Sequence, residues 1–210
     1  MKTVIICNGD LTDYEYGIQI IKKADYVICA DGGTRHAYKM SIIPDLIIGD
    51  FDSSNNDYTE YYKRKGVKIE RHPIEKDKTD SHICVLRAMN FSKEIVLLGA
   101  TGSRVDHTLA NISLLKLGVD NNINIYIADK QNEIYLINNE ISIKGHLGDY
   151  FSLFPLSERV EGISISGAKY DLENETIEIG DTLGISNEFK DDKVEIKIKK
   201  GYLLVIKSQD

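Results

Sequence analysis

Short apolar runs alternate with amphipathic stretches along the first part of the chain. The runs have the length of buried strands, and they occupy residues 4–7, 26–30, 46–48, 67–70, 95–98 and 123–128. Between them, residues 80–89 and 108–117 carry apolar side chains at helical spacing. Apolar strands that alternate with helices are typical of a parallel sheet covered on both faces. We therefore predict an α/β domain over residues 1–128, with an open, mainly parallel sheet and helices on both faces.

The pattern changes after residue 128. Short β-branched runs, several of which alternate polar with apolar positions, occupy residues 133–138, 141–144, 150–154, 162–166, 176–179, 194–198 and 202–207. Turn residues such as Gly145, Gly167 and Gly180 separate the runs, and no helical pattern lies between them. We predict a second domain over residues 129–210, an antiparallel β-sandwich or small barrel.

Aspartates follow five successive predicted strands at their carboxyl ends, within residues 8–10, 31–33, 49–53, 76–80 and 99–107. A single aspartate at such a place is usually a helix N-cap or a turn residue. In an open parallel sheet, however, these ends share the edge where ligands bind, so the side chains should converge. Converging carboxylates repel one another unless a cation neutralises them. Since all the donors are oxygens, the pattern favours Mg²⁺.

The same loops carry groups that suit phosphate: Gly99, Gly102, Ser103, Arg104, Lys76 and Lys78. The glycines and the start of the following helix allow backbone N–H groups to approach an anion, and a guanidinium pairs well with phosphate oxygens. Each basic residue alone would usually be a solvated surface charge. The chain has no P-loop, no dinucleotide-binding fingerprint and no nucleophile elbow. Phosphoryl-type transfer needs little covalent help from the protein, so carboxylates, a metal and a few cations suffice.

Composition limits the partners and the compartment. A net charge of −7 argues against general nucleic-acid binding and is compatible with a metal or a cationic substrate. No apolar stretch approaches the roughly 20 residues of a membrane span, and the amino terminus does not read as a signal peptide. The three cysteines lack metal-binding spacing, which favours reduced, buried thiols. We expect a cytoplasmic protein with no nucleic-acid or membrane partner.

The loops closely resemble those of the thiamine pyrophosphokinase family. The resemblance covers nearly the whole chain in the expected order, at residues 30–33, 44–53, 77–80, 99–111, 152–156, 167–172 and 184–188. Its most specific parts are Gly-Asp-Phe-Asp-Ser at residues 49–53, Thr-Asp at 79–80 and Arg-x-Asp-His at 104–107. The resemblance implies that ATP and thiamine give thiamine diphosphate and AMP. It also implies an amino-terminal catalytic domain, a carboxy-terminal thiamine-binding β domain, and a homodimer with active sites between subunits.

Motif position also implies roles for individual residues. The magnesium ligands would be Asp50, Asp52 and Asp80, and the catalytic set would add Arg104 and Asp106. Motif position assigns Thr79 and Arg104 to ATP. The place of the other candidates in the same loops adds Asp31, Lys76, Asp77, Lys78, Gly102 and Ser103 to the ATP contacts. The residues that contact thiamine would be Ser186 and Asn187, with Phe189 or Tyr170 as the stacking surface.

The chain departs from the family pattern in two places. Animal members place a tryptophan over the thiamine ring, and this chain has no tryptophan. Many relatives carry a small residue and then asparagine after Asp-Gly-Gly, where this chain has Thr34 and Arg35.

Two other hypotheses remain open at the level of sequence. One is a different metal-dependent enzyme that uses the same edge of the sheet, such as a pterin diphosphokinase or a nucleotide phosphohydrolase. The other is a non-catalytic sensor of thiamine or nucleotide. AMP release that depends on the acceptor alcohol separates transfer from hydrolysis, and binding without turnover would indicate the sensor.

Overall fold

The structure is a computed structural model that describes residues 1–51, 56–73 and 77–209. The chain divides into two compact units, Met1–Lys130 (unit 1) and Gln131–Asp210 (unit 2). Asp52 and Lys76, two of the predicted site residues, lie outside the described residues.

Unit 1 contains a parallel sheet with strand order β6-β5-β1-β2-β3-β4. The strands are β1 Lys2–Ile6, β2 Tyr26–Ala30, β3 Leu46–Gly49, β4 Lys68–Arg71, β5 Glu94–Leu98 and β6 Asn124–Ala128. The helices are α1 Tyr14–Ile21, α2 Thr34–Lys39, α3 Asn56–Arg64, α4 Asp80–Met89 and α5 Val105–Asn121. In β1, β2, β5 and β6 the last four residues are all buried, so both faces of these strands are covered, which explains their continuous apolar sequence.

Local sequence explains where the helices begin and end. Asp13 accepts a hydrogen bond from the Tyr16 N–H at the start of α1, and Thr79 accepts one from the His82 N–H at the start of α4. Helix α5 ends at Asn121, and the capping residue Asn122 has a left-handed backbone (φ 55°). The prediction for residues 80–89 matches α4, whereas α5 is longer at both ends than residues 108–117. At the carboxyl end of α5, the left-handed Asn122 marks the boundary better than apolar spacing does.

Unit 2 consists of antiparallel strands in the orders β12-β9-β14-β7 and β11-β10-β13-β8. The strands are β7 Asn132–Ile137, β8 Glu140–Lys144, β9 Tyr150–Pro155, β10 Arg159–Ser166, β11 Leu172–Glu178, β12 Asn187–Glu188, β13 Lys193–Lys197 and β14 Leu203–Ser208. Both sets contribute to one core, in which Phe151 and Val205 pack with Val160 and Ile196. The predicted fold class is confirmed, with a parallel α/β sheet followed by an antiparallel sandwich. Strand β12 was not predicted because it is short and polar.

The structure also bears on two smaller expectations. All three cysteines, Cys7, Cys29 and Cys84, are buried free thiols. Among the described residues, no helix combines the length and the apolar character needed to cross a membrane.

Candidate active site

A cleft of about 670 Å³ opens at the carboxyl ends of the strands of unit 1. It is lined by residues that follow β1, β2, β3 and β5 and by the segment that leads into α4. Strands β2 and β5 lie on opposite sides of β1, so the chain changes direction across the sheet at this point. Ligands in open parallel sheets bind at such a position, because the loops on either side diverge and leave a crevice.

Three carboxylates from separate loops meet in this cleft. One oxygen each from Asp31, Asp50 and Asp80 lies within 4.8 Å of the other two. Asp31 directly follows β2, Asp50 directly follows β3, and Asp80 is the first residue of α4. Gly49 permits the approach, since a Cβ at this position would lie 3.0 Å from the Cβ of Asp31. The donors are all oxygens, as a hard divalent cation requires.

The composition of this carboxylate group differs from the sequence-based assignment. Asp50 and Asp80 come together as predicted, but the third described member is Asp31, which was assigned to ATP rather than to the metal. Asp52 falls outside the described residues, so its assignment stays a prediction. The position of Asp31 at the end of a strand was visible in the sequence. Only the adjacency of β2 and β3 shows that it shares a site with Asp50.

Backbone hydrogen bonds connect the loop after β1 (the β1 loop, residues 7–10) with the loop after β5 (the β5 loop, residues 99–104) in the cleft. The Gly9 N–H donates to the carbonyl oxygen of Gly99 (2.7 Å), and the Asp10 N–H donates to that of Thr101 (2.7 Å). A Cβ at Gly9 would lie 2.2 Å from the Thr101 oxygen, so this contact requires glycine. The Ser103 N–H, predicted to approach an anion, donates instead to Oδ2 of Asp10 (3.2 Å). Gly102 and Ser103 do line the cleft, as expected.

Arg104 and Asp106 form an exposed ion pair beside this loop. Nε and Nη2 of Arg104 donate to the two carboxylate oxygens of Asp106 at 2.9 and 2.6 Å. This bidentate contact orients the guanidinium, whose side chain lines the cleft. Arg104 also holds the pKa of Asp106 well below its usual range, so Asp106 is a poor proton acceptor near neutral pH.

The remaining predicted ATP residues of the α4 loop, Asp77, Lys78 and Thr79, all line the cleft. The Thr79 hydroxyl accepts the His82 N–H at 3.2 Å and retains its own proton for donation. Cys7 lines the cleft as well, but burial raises the pKa of its thiol to about 11. Because the thiolate is the reactive form, this cysteine is not a nucleophile at neutral pH.

Buried His36 forms a hydrogen bond with the backbone of the β1 loop. Its Nε2 donates to the carbonyl oxygen of Gly9 (2.9 Å) and its Nδ1 lies 3.0 Å from the Tyr14 hydroxyl, so neutral His36 satisfies both contacts. Burial lowers the pKa of His36, with a smaller contribution from nearby Arg35. The unfolded chain therefore binds a proton here more readily than the folded chain does.

We expect His36 to make stability depend on pH. Its contribution is fully present above the unfolded pKa of about 6.5 and is lost as the pH falls through the lower folded pKa. Urea unfolding at about pH 7.5 and about pH 5.5 should show a smaller acid-induced loss for His36→Gln than for the wild type. His146→Gln, at an exposed side chain, is the control. An identical loss in wild type and His36→Gln would show that His36 does not titrate on unfolding in this range.

The predicted thiamine residues lie in unit 2, and two of them have structural roles. Phe189 is 1% exposed, and its ring packs edge-on against Phe151 with centroids 5.5 Å apart. The burial of this ring argues against its predicted role as a stacking surface, because no face of the ring is open to solvent. Asn187 is also buried: its Oδ1 accepts the N–H of Tyr170 (3.1 Å), and its Nδ2 donates to the Tyr170 carbonyl (2.8 Å). Asn187 therefore holds the Tyr170 backbone in place, and its assignment to thiamine stays a prediction.

Tyr170 and Ser186 remain accessible in unit 2. Tyr170 is 60% exposed, and the Lys169 ammonium lies 5.6 Å from the centroid of its ring. Ser186 is exposed in a left-handed conformation (φ 56°), and its N–H donates to the Ser152 hydroxyl (3.0 Å). Of the two aromatic candidates, only Tyr170 presents a ring face to solvent.

Two family models match the chain. One, described as thiamin pyrophosphokinase, catalytic domain, matches residues 18–127. The other, described as thiamin pyrophosphokinase, vitamin B1 binding domain, matches residues 138–203. Together they span parts of both structural units in the order that the sequence motifs indicate.

Similar proteins confirm this relationship. Thiamine pyrophosphokinase of Bacillus subtilis (strain 168) is 36% identical over 220 residues, covering 100% of both chains. A crystal structure of thiamine pyrophosphokinase from Bacillus subtilis superposes with a TM-score of 0.89 at 32% identity, over 100% of both chains. For thiamin pyrophosphokinase from Geobacillus thermodenitrificans the TM-score is 0.87 at 29% identity, over 100% of this chain and 98% of that one. The chain belongs to the thiamine pyrophosphokinase family.

Proposed function

We propose that the chain transfers the terminal pyrophosphoryl group of ATP to the hydroxyl group of thiamine, giving thiamine diphosphate and AMP. The observation that carries this proposal is the meeting of Asp31, Asp50 and Asp80 within 4.8 Å in a cleft that also presents Lys78 and Arg104. A metal-bound nucleotide requires carboxylates that hold the metal ion and, next to them, basic side chains that bind the phosphates.

The carboxylate group fits Mg²⁺. Ligand oxygens about 2.1 Å from a magnesium ion lie at most ~4.2 Å apart, so small side-chain rotations would bring Asp31, Asp50 and Asp80 onto one ion. Asp52 is a further candidate ligand. When bound, such an ion neutralises charge on the phosphate chain of ATP.

The reaction forms a bond between the thiamine oxygen and the β-phosphorus of ATP and breaks the bond from that phosphorus to the bridging oxygen of AMP. Arg104 and Lys78 would stabilise negative charge that develops on the departing AMP. Thr79 and the loop of Gly102 and Ser103 would hold phosphate oxygens in line with the attacking hydroxyl. The Arg104 guanidinium lowers the pKa of Asp106, which makes this carboxylate a weak acceptor for the hydroxyl proton.

We assign thiamine to unit 2, at Tyr170 and Ser186, and propose that a homodimer completes each active site at the subunit interface. The thiazolium ring of thiamine is a cation, and an aromatic face attracts a cation by about 0.5–2 kcal/mol. Asn187 would hold the Tyr170 backbone in place for this contact. Light scattering on the purified chain tests the dimer directly.

Tyr170→Ala should raise the KM for thiamine about 2- to 30-fold, as loss of a cation–π contact predicts. The KM for ATP should stay unchanged, because Tyr170 lies outside the ATP cleft. Tyr170→Phe keeps the ring and should behave like the wild type. Steady-state kinetics with each substrate varied in turn distinguish these outcomes. A normal thiamine KM in Tyr170→Ala would exclude the stacking role.

The function itself is tested by incubating the chain with ATP, Mg²⁺ and thiamine and quantifying AMP and thiamine diphosphate. Equal amounts of both products, with no AMP when thiamine is omitted, are the expected result. AMP release without thiamine would indicate a phosphohydrolase, and turnover with a pterin alcohol alone would indicate a different acceptor. Binding of both substrates without products would indicate a sensor.

A further inference from the structure

Arg35 places a second guanidinium in the wall of the ATP cleft. It is the second residue of α2, four positions after Asp31, and its side chain lines the same cleft as Asp31, Asp50 and Arg104. The Nη2 atom of Arg35 donates to the carbonyl oxygens of Asn8 (2.9 Å) and Gly9 (3.0 Å). These two bonds hold the guanidinium at the end of β1.

Arg35 lies close to neutral acceptors rather than to an ion-pair partner within the described ranges. Both acceptors of Nη2 are neutral carbonyls, and no carboxylate in the described part of the chain forms an ion pair with this residue. Its Nε is buried, with no hydrogen-bond partner among the described residues. The charge of Arg104, in contrast, is partly neutralised by Asp106. Arg35 thus combines a fixed position with a positive charge and with one donor, Nε, that lacks an acceptor among the described residues.

A phosphate group matches these properties. A guanidinium donates well to phosphate oxygens, and a buried donor of a charged group is destabilising when it has no acceptor. Because Asn8 and Gly9 already restrain the side chain, little rotamer freedom remains to be lost on binding. A nucleoside alone has no negative charge to offer, so the contact should be specific for the phosphorylated part of the nucleotide.

We propose that Arg35 contacts the phosphate chain of ATP and sets the preference of the cleft for triphosphate over the bare nucleoside. This inference rests on the proposed function, because it takes ATP as the ligand of the cleft. The competing explanation is that Arg35 only braces the β1 loop. If Arg35 only held the loop in place, its replacement would weaken the binding of every ligand of the cleft and lower the stability of unit 1. If Arg35 contacts phosphate, its replacement would weaken the binding of ATP alone.

The test compares Arg35→Gln and Arg35→Lys with the wild type and with Arg64→Gln, which removes an exposed arginine of α3. We expect Arg35→Gln to raise the KM for ATP by about 10-fold or more, as loss of a charged hydrogen bond predicts. The KM for thiamine and the inhibition constant of adenosine should stay within about twofold. Arg35→Lys should recover part of the ATP affinity, since lysine keeps the positive charge but lacks the planar pair of donors of a guanidinium.

Two results would overturn the inference. One is an unchanged KM for ATP in folded Arg35→Gln, and the other is an equal loss of affinity for ATP and adenosine. If Arg35→Gln does not fold, the same comparison is made with Arg35→Lys, for which a twofold or smaller change in the ATP KM overturns it. Failure of the wild type to form AMP with thiamine would instead refute the proposed function, so the two failures are distinguishable.

Discussion

Replacing Asp50 with asparagine is expected to lower kcat/KM for AMP formation by at least about 10³-fold, or ~4 kcal/mol of transition-state stabilisation. Asp50 is one of the three carboxylates that meet in the cleft, together with Asp31 and Asp80. Asparagine has nearly the same size, so the loop should keep its shape, but the charge that holds a divalent cation is removed. The measurement is steady-state formation of AMP at saturating Mg²⁺ and thiamine.

The role of Asp50 can also be tested by measuring how Mg²⁺ changes the unfolding temperature. A ligand that binds only the folded chain raises its unfolding temperature, so Mg²⁺ should stabilise the wild type and have less effect on Asp50→Asn. Asp57→Asn makes the same chemical change at an exposed residue of α3 and should resemble the wild type in both assays. Asp50→Asn with more than about a tenth of wild-type activity would contradict a role in catalysis.

Phe189→Ala is expected to lower the free energy of unfolding by about 3–5 kcal/mol, as the loss of a fully buried ring predicts. The ring packs against Phe151, and a Cβ at Gly145 would lie 2.8 Å from it, so there is little space around it. Urea unfolding measures the change. Phe189→Leu fills most of the space and should keep a normal KM for thiamine, which separates a core role from a stacking role.

An exposed phenylalanine of the same unit provides the control for Phe189. Phe154 on β9 is 49% exposed, and its replacement by alanine should cost about 1 kcal/mol or less. Normal stability of Phe189→Ala together with a raised thiamine KM would restore the stacking role that the structure argues against.

Local sequence was sufficient for several features of the site. The buried strands were predictable because a strand covered on both faces must be apolar along its whole length, as β1 and β5 are. Asp31 and Asp50 were predictable as carboxylates at the sheet edge because each directly follows such a strand, and Asp80 because it lies in the loop between β4 and α4. These features depend on residues that are adjacent in the chain, so the pattern of the sequence predicts them.

Other features depend on contacts between distant residues. Asp31 joins Asp50 because β2 pairs with β3, and strand order is not encoded in hydrophobic spacing. The sequence by itself determined the elements, the acidic edge and the family, since adjacent residues and motifs specify them. Only the tertiary structure decided that Phe189 is core while Tyr170 is exposed, because an aromatic residue suits burial and stacking equally well. Packing chooses between the two, and packing is a property of the folded chain.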